Sequence, residues 1–164
     1  MPKIIAHALT GAAIVAVLDP KAGLVKWTPL FIGALLAVAP DFDYALEWIF
    51  KLPDAHRGFT HSLFFSLLVG VLICLLMPAG EERAALGFSL AYLSHALLDF
   101  STSTTGGVKL LWPLSNQYYN YGVTGILELP VGKSLSEMSK WIILEMLFFL
   151  PLLGLILLLK RILR

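Results

Sequence analysis

The sequence predicts an all-α, polytopic membrane protein: a bundle of about four to five helices with a polar site at one membrane face. Three observations predict it. The 164 residues are 58% hydrophobic and 14% charged, where a soluble domain carries about a quarter charged residues. Mean hydropathy is +0.81. Apolar runs of helical length recur along the whole chain, separated by breakers such as Asp19-Pro20 and Pro78-Ala79-Gly80. The expected partner is therefore the lipid bilayer. A net charge of +1 argues against a nucleic-acid partner. The lone Cys74 excludes an intramolecular disulfide.

Each element follows from the same pattern. The first helix is expected over about 4–18. It opens with Lys3 and an apolar run that mimics a signal peptide, but no small-x-small site follows near Leu18, so it reads as retained. Ala8, Ala12 and Ala16 give it a small-residue face for close packing. A second helix is expected over about 28–39, stopped by Pro40, since the residue before proline avoids the helical region. A short helix restarts there, with Asp41 and Asp43 in its first turn. A third spans 60–77, capped by Thr60, and a fourth spans about 83–99. A polar and aromatic segment follows over 101–133. Ser134 to Glu137 forms a capping box for a last helix over 134–162, kinked at Pro151. The whole reads as one membrane-embedded domain, 1–164, with a motif-bearing core at 4–115. Helices 1 and 2 are shorter than the roughly 20 residues a span needs, and are expected to thin the bilayer or insert in part.

If the helices alternate across the membrane, the polar residues collect on one face. His7 lies at the start of helix 1, and Asp41 and Asp43 follow helix 2. His56, Arg57 and His61 precede or begin helix 3, and His95 and Asp99 end helix 4. All four histidines thus share a face. His95 and Asp99 stand at i and i+4, one above the other, and can hold one metal ion. Imidazole and carboxylate without thiolate suit Zn first, with Mn or Fe as alternatives. Such a metal would lower the pKa of a bound water and supply hydroxide. Arg57, beside a helix N-terminus, would neutralise a phosphate. Asp41 and Asp43 point about 200° apart if helical, so one faces the site; Asp43 is favoured as ligand or general base and Asp41 as its outer support. The twelve basic residues divide six and six between the faces, so the positive-inside rule assigns no orientation.

His7-x-x-x-Gly11, Pro-Asp-Phe-Asp at 40–43, HRGFTHS at 56–62, HALLD at 95–99 and GVKLLWPLS at 107–115 resemble the YdjM-like family of inner-membrane metal-dependent hydrolases, also called LexA-binding membrane hydrolases. The resemblance covers about residues 4–115. It implies a bacterial inner-membrane location. A more distant likeness is to zinc-dependent phospholipase C and P1 nuclease. By that analogy His7, Asp43, His61, His95 and Asp99 are the metal ligands, with Asp99 bridging if two ions bind. That group uses further histidines after its HxxxD, and this chain has none, so one or two ions are expected rather than three.

The resulting expectation is a membrane-embedded hydrolase acting on a phosphoester or phospholipid-like substrate. Asp43, Arg57 and His56 would be catalytic, and Asp41 and Ser62 would support them. The blander readings are specific too. His7 can be a packed histidine between helices, Arg57 an interfacial snorkelling residue, and Trp112, Tyr118, Tyr119 and Tyr121 an aromatic belt. Asp54 reads as a loop residue, and Lys160, Arg161 and Arg164 as an edge anchor. The competing function is a non-catalytic membrane protein whose polar cluster is structural, handles ions or docks a partner. No histidine is followed by glutamate and no Gly-Asp or Gly-x-Ser-x-Gly occurs, which removes the HExxH, intramembrane aspartyl and serine-hydrolase alternatives.

Overall fold

Pro40 does not end the second helix so much as change its pitch. The computed structural model describes residues 4–23, 25–51, 56–103, 106–122 and 135–163. Within them the helices are α1 (Ile4–Leu18), α2 (Thr28–Val38), α3 (Asp43–Phe50), α4 (Leu63–Leu76), α5 (Glu82–Thr102) and α6 (Leu135–Ile162). A 3₁₀ turn over Ala39–Phe42 joins α2 to α3, so Thr28–Phe50 forms one apolar run of 23 residues, long enough to cross a bilayer. Ile142–Ile162 is the second such span, at 21 residues. α1 and α4 are the shorter apolar helices. Among the described residues no strand forms; Val108 and Tyr119 make an isolated antiparallel bridge. Ser134 and the side chains of the expected capping box, like the residues Lys3, Asp54, Lys133 and Arg164, lie outside what the structure describes.

α5 is the central helix. It packs on α1, α2 and α4, and its small residues Ala84, Ala85, Gly87, Ala91 and Ala96 are buried. Most leucines and phenylalanines of α4 and α6 instead point outward, Leu157 being a buried exception, as lipid-facing surfaces do. α1 and α2 meet at Gly11 and Gly33 rather than along the alanine face alone. A Cβ at Gly11 would fall 2.3 Å from the Gly33 carbonyl oxygen and 2.5 Å from Ala37 Cβ. The two backbones therefore touch, as small residues allow.

α6 runs parallel to α1 and closes both its ends. The first four amides and last four carbonyls of any helix lack intrahelical partners. The Ala6 amide donates to Glu145 Oε2 at 3.3 Å. Lys160 Nζ donates to the carbonyls of Ala16 and Asp19. An anion at the N-terminus and a cation at the C-terminus also complement the helix dipole. Lys160, expected as an edge anchor, is thus a cap for α1.

Candidate functional site

Four elements bring the polar residues together. His7 comes from the first turn of α1 and Asp41 from the 3₁₀ turn after α2. His61 comes from the 3₁₀ turn Phe59–His61, and His95 and Asp99 from the last turns of α5. His7, His61, His95 and Asp99 are each buried to within 2% of complete. Asp41 retains 22% side-chain exposure and His56 14%, so access to the cluster is past these two.

The histidine tautomers follow from their partners. His95 Nδ1 lies 2.7 Å from the Ala37 carbonyl oxygen. A carbonyl only accepts, so Nδ1 carries the proton and Nε2 a lone pair. The Ala37 carbonyl is available because it belongs to the open end of α2. The Thr60 hydroxyl donates to Asp43 Oδ2 at 2.6 Å, and so it accepts from His61 Nδ1, 3.0 Å away. Asp43 Oδ2 lies 3.2 Å from the same nitrogen. His61 Nδ1 is therefore a donor as well. Yet the Nε2 atoms of His61 and His95 face each other at 3.0 Å. Two lone pairs at that distance repel unless a proton or cation lies between them.

Carboxylates surround that pair. Asp41 Oδ1 lies 3.3 Å from His95 Nε2 and 3.6 Å from His61 Nε2. Asp99 Oδ2 lies 3.8 Å from each. A tetrahedral zinc site with bonds of about 2.0–2.1 Å has ligand-to-ligand edges of about 3.3–3.4 Å. The five spacings bracket that value. Asp99 Oδ1 faces His7 Nε2 at 3.3 Å. Among the described residues neither Asp99 Oδ1 nor His7 Nδ1 has a hydrogen-bond partner, and the His7 ring stacks on His95 at 3.9 Å. His7, His95 and Asp99 can share one ion, and Asp41, His56 and His61 another. The donor set fits one or two divalent ions. Burial opposes charge on His61, but its hydrogen bonds to Asp41 and Asp43 outweigh this and push its pKa up to about 9.

Asp43, favoured as ligand or general base, and Asp41, expected as its outer support, face different partners. Asp43 turns away from the facing nitrogens. Its oxygens accept from His56 Nδ1 at 2.8 Å, the Arg57 amide at 3.2 Å and Thr60 Oγ1, besides facing His61 Nδ1. With these partners it orients two histidines, and Asp41 is the carboxylate aimed at the nitrogen pair. Arg57 adopts a left-handed backbone, φ 59°, a conformation costing a non-glycine residue about 1–3 kcal/mol unless its surroundings hold it. They do: its amide binds Asp43 and its carbonyl accepts from the Lys109 amide at 3.0 Å. Its guanidinium lies against Gly106, where a Cβ would come within 3.1 Å of Nη1.

The helix cap also moves. Ser62, not Thr60, caps α4, its Oγ accepting from the Phe65 amide at 3.0 Å. Ser62 also donates to the Phe59 carbonyl at 2.7 Å. It thus fixes the turn carrying His61 rather than meeting the carboxylates. His61 accordingly precedes the helix instead of lying in its first turn. Three contributors were not foreseen. Thr60 orients His61, Tyr44 stacks on His56 at 3.6 Å, and the Tyr92 hydroxyl donates to the Thr60 carbonyl at 3.3 Å. Tyr92 carried a signal, a polar tip one turn before His95 in an apolar helix; Tyr44 carried none. The segment after α5 folds back on the site, Leu63 donating to the Leu110 carbonyl at 2.9 Å. Within it Trp112 packs on Phe59 and Phe64, and Lys109 lies over the Tyr118 ring.

Residues 1–163 match the family described as YdjM inner membrane protein. The chain is 36% identical over 127 residues to the inner membrane protein YbcI of Escherichia coli (strain K12), an alignment covering 73% of this chain and 72% of that one. It is 37% identical over 113 residues to the inner membrane protein YdjM of the same organism, covering 60% of this chain and 56% of that one. No solved structure matches.

Proposed function

The chain belongs to the YdjM family of inner membrane proteins, and on that premise we propose that it is a membrane-embedded, metal-dependent hydrolase acting on a phosphoester or phospholipid-like substrate. The observation that carries this reading is the pair of facing Nε2 atoms, His61 and His95 at 3.0 Å, with Asp41 and Asp99 beside them. A single divalent ion, zinc before manganese or iron, would be held by His61, His95, Asp41 and Asp99; two ions would divide the set, with His7, His95 and Asp99 around one and Asp41, His56 and His61 around the other, three protein donors each. When bound, the ion supplies Lewis-acid polarisation and lowers the pKa of a water.

The protein's own groups do the rest. Ala37 and Asp43 fix the tautomers of His95 and His61, so that both present lone pairs inward. Asp41, partly exposed, accepts a proton at the mouth. Arg57, held on the same loop as His56, meets the phosphoryl oxygens. α5 and α1 exclude water from the inner side. The likeness to zinc-dependent phospholipase C belongs to this proposal, with Asp41 in the ligand place that the analogy gave Asp43.

One observation favours a second reading. His61, His95 and Asp99 are nearly wholly buried, and four protein donors can close a tetrahedron, which suits a structural or ion-handling centre. Elemental analysis of the purified protein beside His95→Ala/Asp99→Ala tests both. Stoichiometric metal in the wild type, lost in the folded double variant, is expected. No metal in the wild type after incubation with zinc or manganese would refute the hydrolase mechanism. Metal retained with no phosphoesterase activity, and no effect of Arg57→Ala on any turnover, would select the structural reading.

A further inference from the structure

At the other end of α1, about 17 Å from His7 at 1.5 Å per residue, a second feature serves no part of the histidine and aspartate cluster. A cavity of about 920 Å³ opens between the α1–α2 loop and the last turns of α6, lined among others by Lys21, Val25, Lys26, Leu157, Lys160 and Arg161. Two of its cations are engaged: Lys160 on the α1 carbonyls, and Lys21 in an ion pair with Glu81. Lys26 and Arg161 are exposed and have no carboxylate partner among the described residues. The Asp19 side chain is buried and accepts from the Lys21 amide at 2.7 Å. The cavity is therefore cationic, and its free charge is concentrated on Lys26 and Arg161.

Its surroundings are those of a lipid rather than of a soluble anion. It sits where the apolar spans of α1 and α6 end and that of α2 begins. Leu157 forms part of its wall. Trp27 is 62% exposed, the aromatic placement typical of the headgroup level, and the neighbouring Val25 is 94% exposed. Leu155, Leu158 and Leu159 point outward along α6 beside it. We propose that this cavity binds the headgroup of an anionic phospholipid, its phosphate between Lys26 and Arg161 and its acyl chains against α6. Basic pockets between transmembrane helices recognise such headgroups by the same combination of charge and adjoining hydrocarbon.

Native mass spectrometry of the full-length protein with equimolar phosphatidylglycerol and phosphatidylethanolamine tests the assignment. Wild type is expected to retain phosphatidylglycerol in preference. Lys26→Gln/Arg161→Gln is expected to lose that preference, by about fivefold for each cation removed. Lys51→Gln/Lys140→Gln, away from the cavity, is expected to leave it unchanged. Thermal unfolding followed by circular dichroism establishes that each variant is folded. Preference kept in the cavity variant, or lost equally in the control pair, would overturn the proposal. Complete displacement of the lipid by millimolar inorganic phosphate would overturn it too, by making the cavity a site for free anions.

Discussion

Gly11→Ala separates packing from propensity. An alanine in place of glycine inside a helix gains about 1 kcal/mol from the backbone alone. At Gly11 the new Cβ would lie 2.3 Å from the Gly33 carbonyl oxygen and 2.5 Å from Ala37 Cβ, where ordinary contact begins at 3.4 Å. Both neighbours are on α2, one of them backbone, so neither can rotate aside. The helices must part by about 1 Å, and overpacking of this kind costs about 1–3 kcal/mol. With two rigid contacts the cost falls in the upper part of that range, for a net loss of about 1–2 kcal/mol after the propensity gain. The displacement reaches the histidine and aspartate cluster, because Ala37 holds His95 Nδ1 and His7 lies one turn before Gly11. Metal affinity should therefore fall by about tenfold or more, the usual consequence of disturbing a ligand's support. Gly154→Ala is the reference, since a Cβ there meets nothing within 4 Å. The measurements are thermal unfolding in detergent and zinc titration of both variants. If Gly11→Ala matches Gly154→Ala in both, the α1–α2 crossing neither limits stability nor positions the site.

Asp41→Asn should abolish metal retention on desalting, whereas Asp43→Asn should weaken it by about 10–100-fold without abolishing it; the reverse order would restore Asp43 as the ligand. Lys160→Met should destabilise the protein by about 1–3 kcal/mol, because two carbonyls at the end of α1 lose a charged donor; an unchanged unfolding midpoint would remove that cap from the account. In protein stripped by a chelator, His61 contributes stability that is complete below its ordinary pKa of 6.5 and is lost as pH rises through about 9. The unfolding midpoint in chelator should thus drop across that window, and a flat profile would show that His61 carries no proton there.

Much of the site was legible because its signals are local. The i, i+4 spacing of His95 and Asp99 needs only a continuous helix, and α5 provides one. Alternation of apolar runs was enough to bring the four histidines to one face. The choice between Asp41 and Asp43 was not legible: an α-helical wheel sets them about 200° apart, but Asp41 lies in a 3₁₀ turn, which advances about 120° per residue, and neither angle says which carboxylate meets the histidine nitrogens. Thr60 was misplaced for a related reason. A threonine before an apolar run reads as a cap, yet Ser62 does the same work two residues later and leaves Thr60 free for Asp43. Glu145 was passed over although its signal was present: one carboxylate in an apolar helix demands a partner, but sequence cannot say that the partner is the Ala6 amide, 139 residues away.

That separation bears on how the protein is made. At roughly 5–20 residues per second, on the order of ten seconds pass between the synthesis of α1 and the appearance of Glu145 and Lys160. During that interval α1 sits in or near the bilayer with the amides at one end and the carbonyls at the other unanswered, in a solvent that cannot answer them. The earliest helix is thus the last to be completed, and the bundle closes from its end back onto its beginning. A chain that stops before α6 already carries every residue of the histidine and aspartate cluster, but its first helix lacks the Glu145 and Lys160 partners at its two ends.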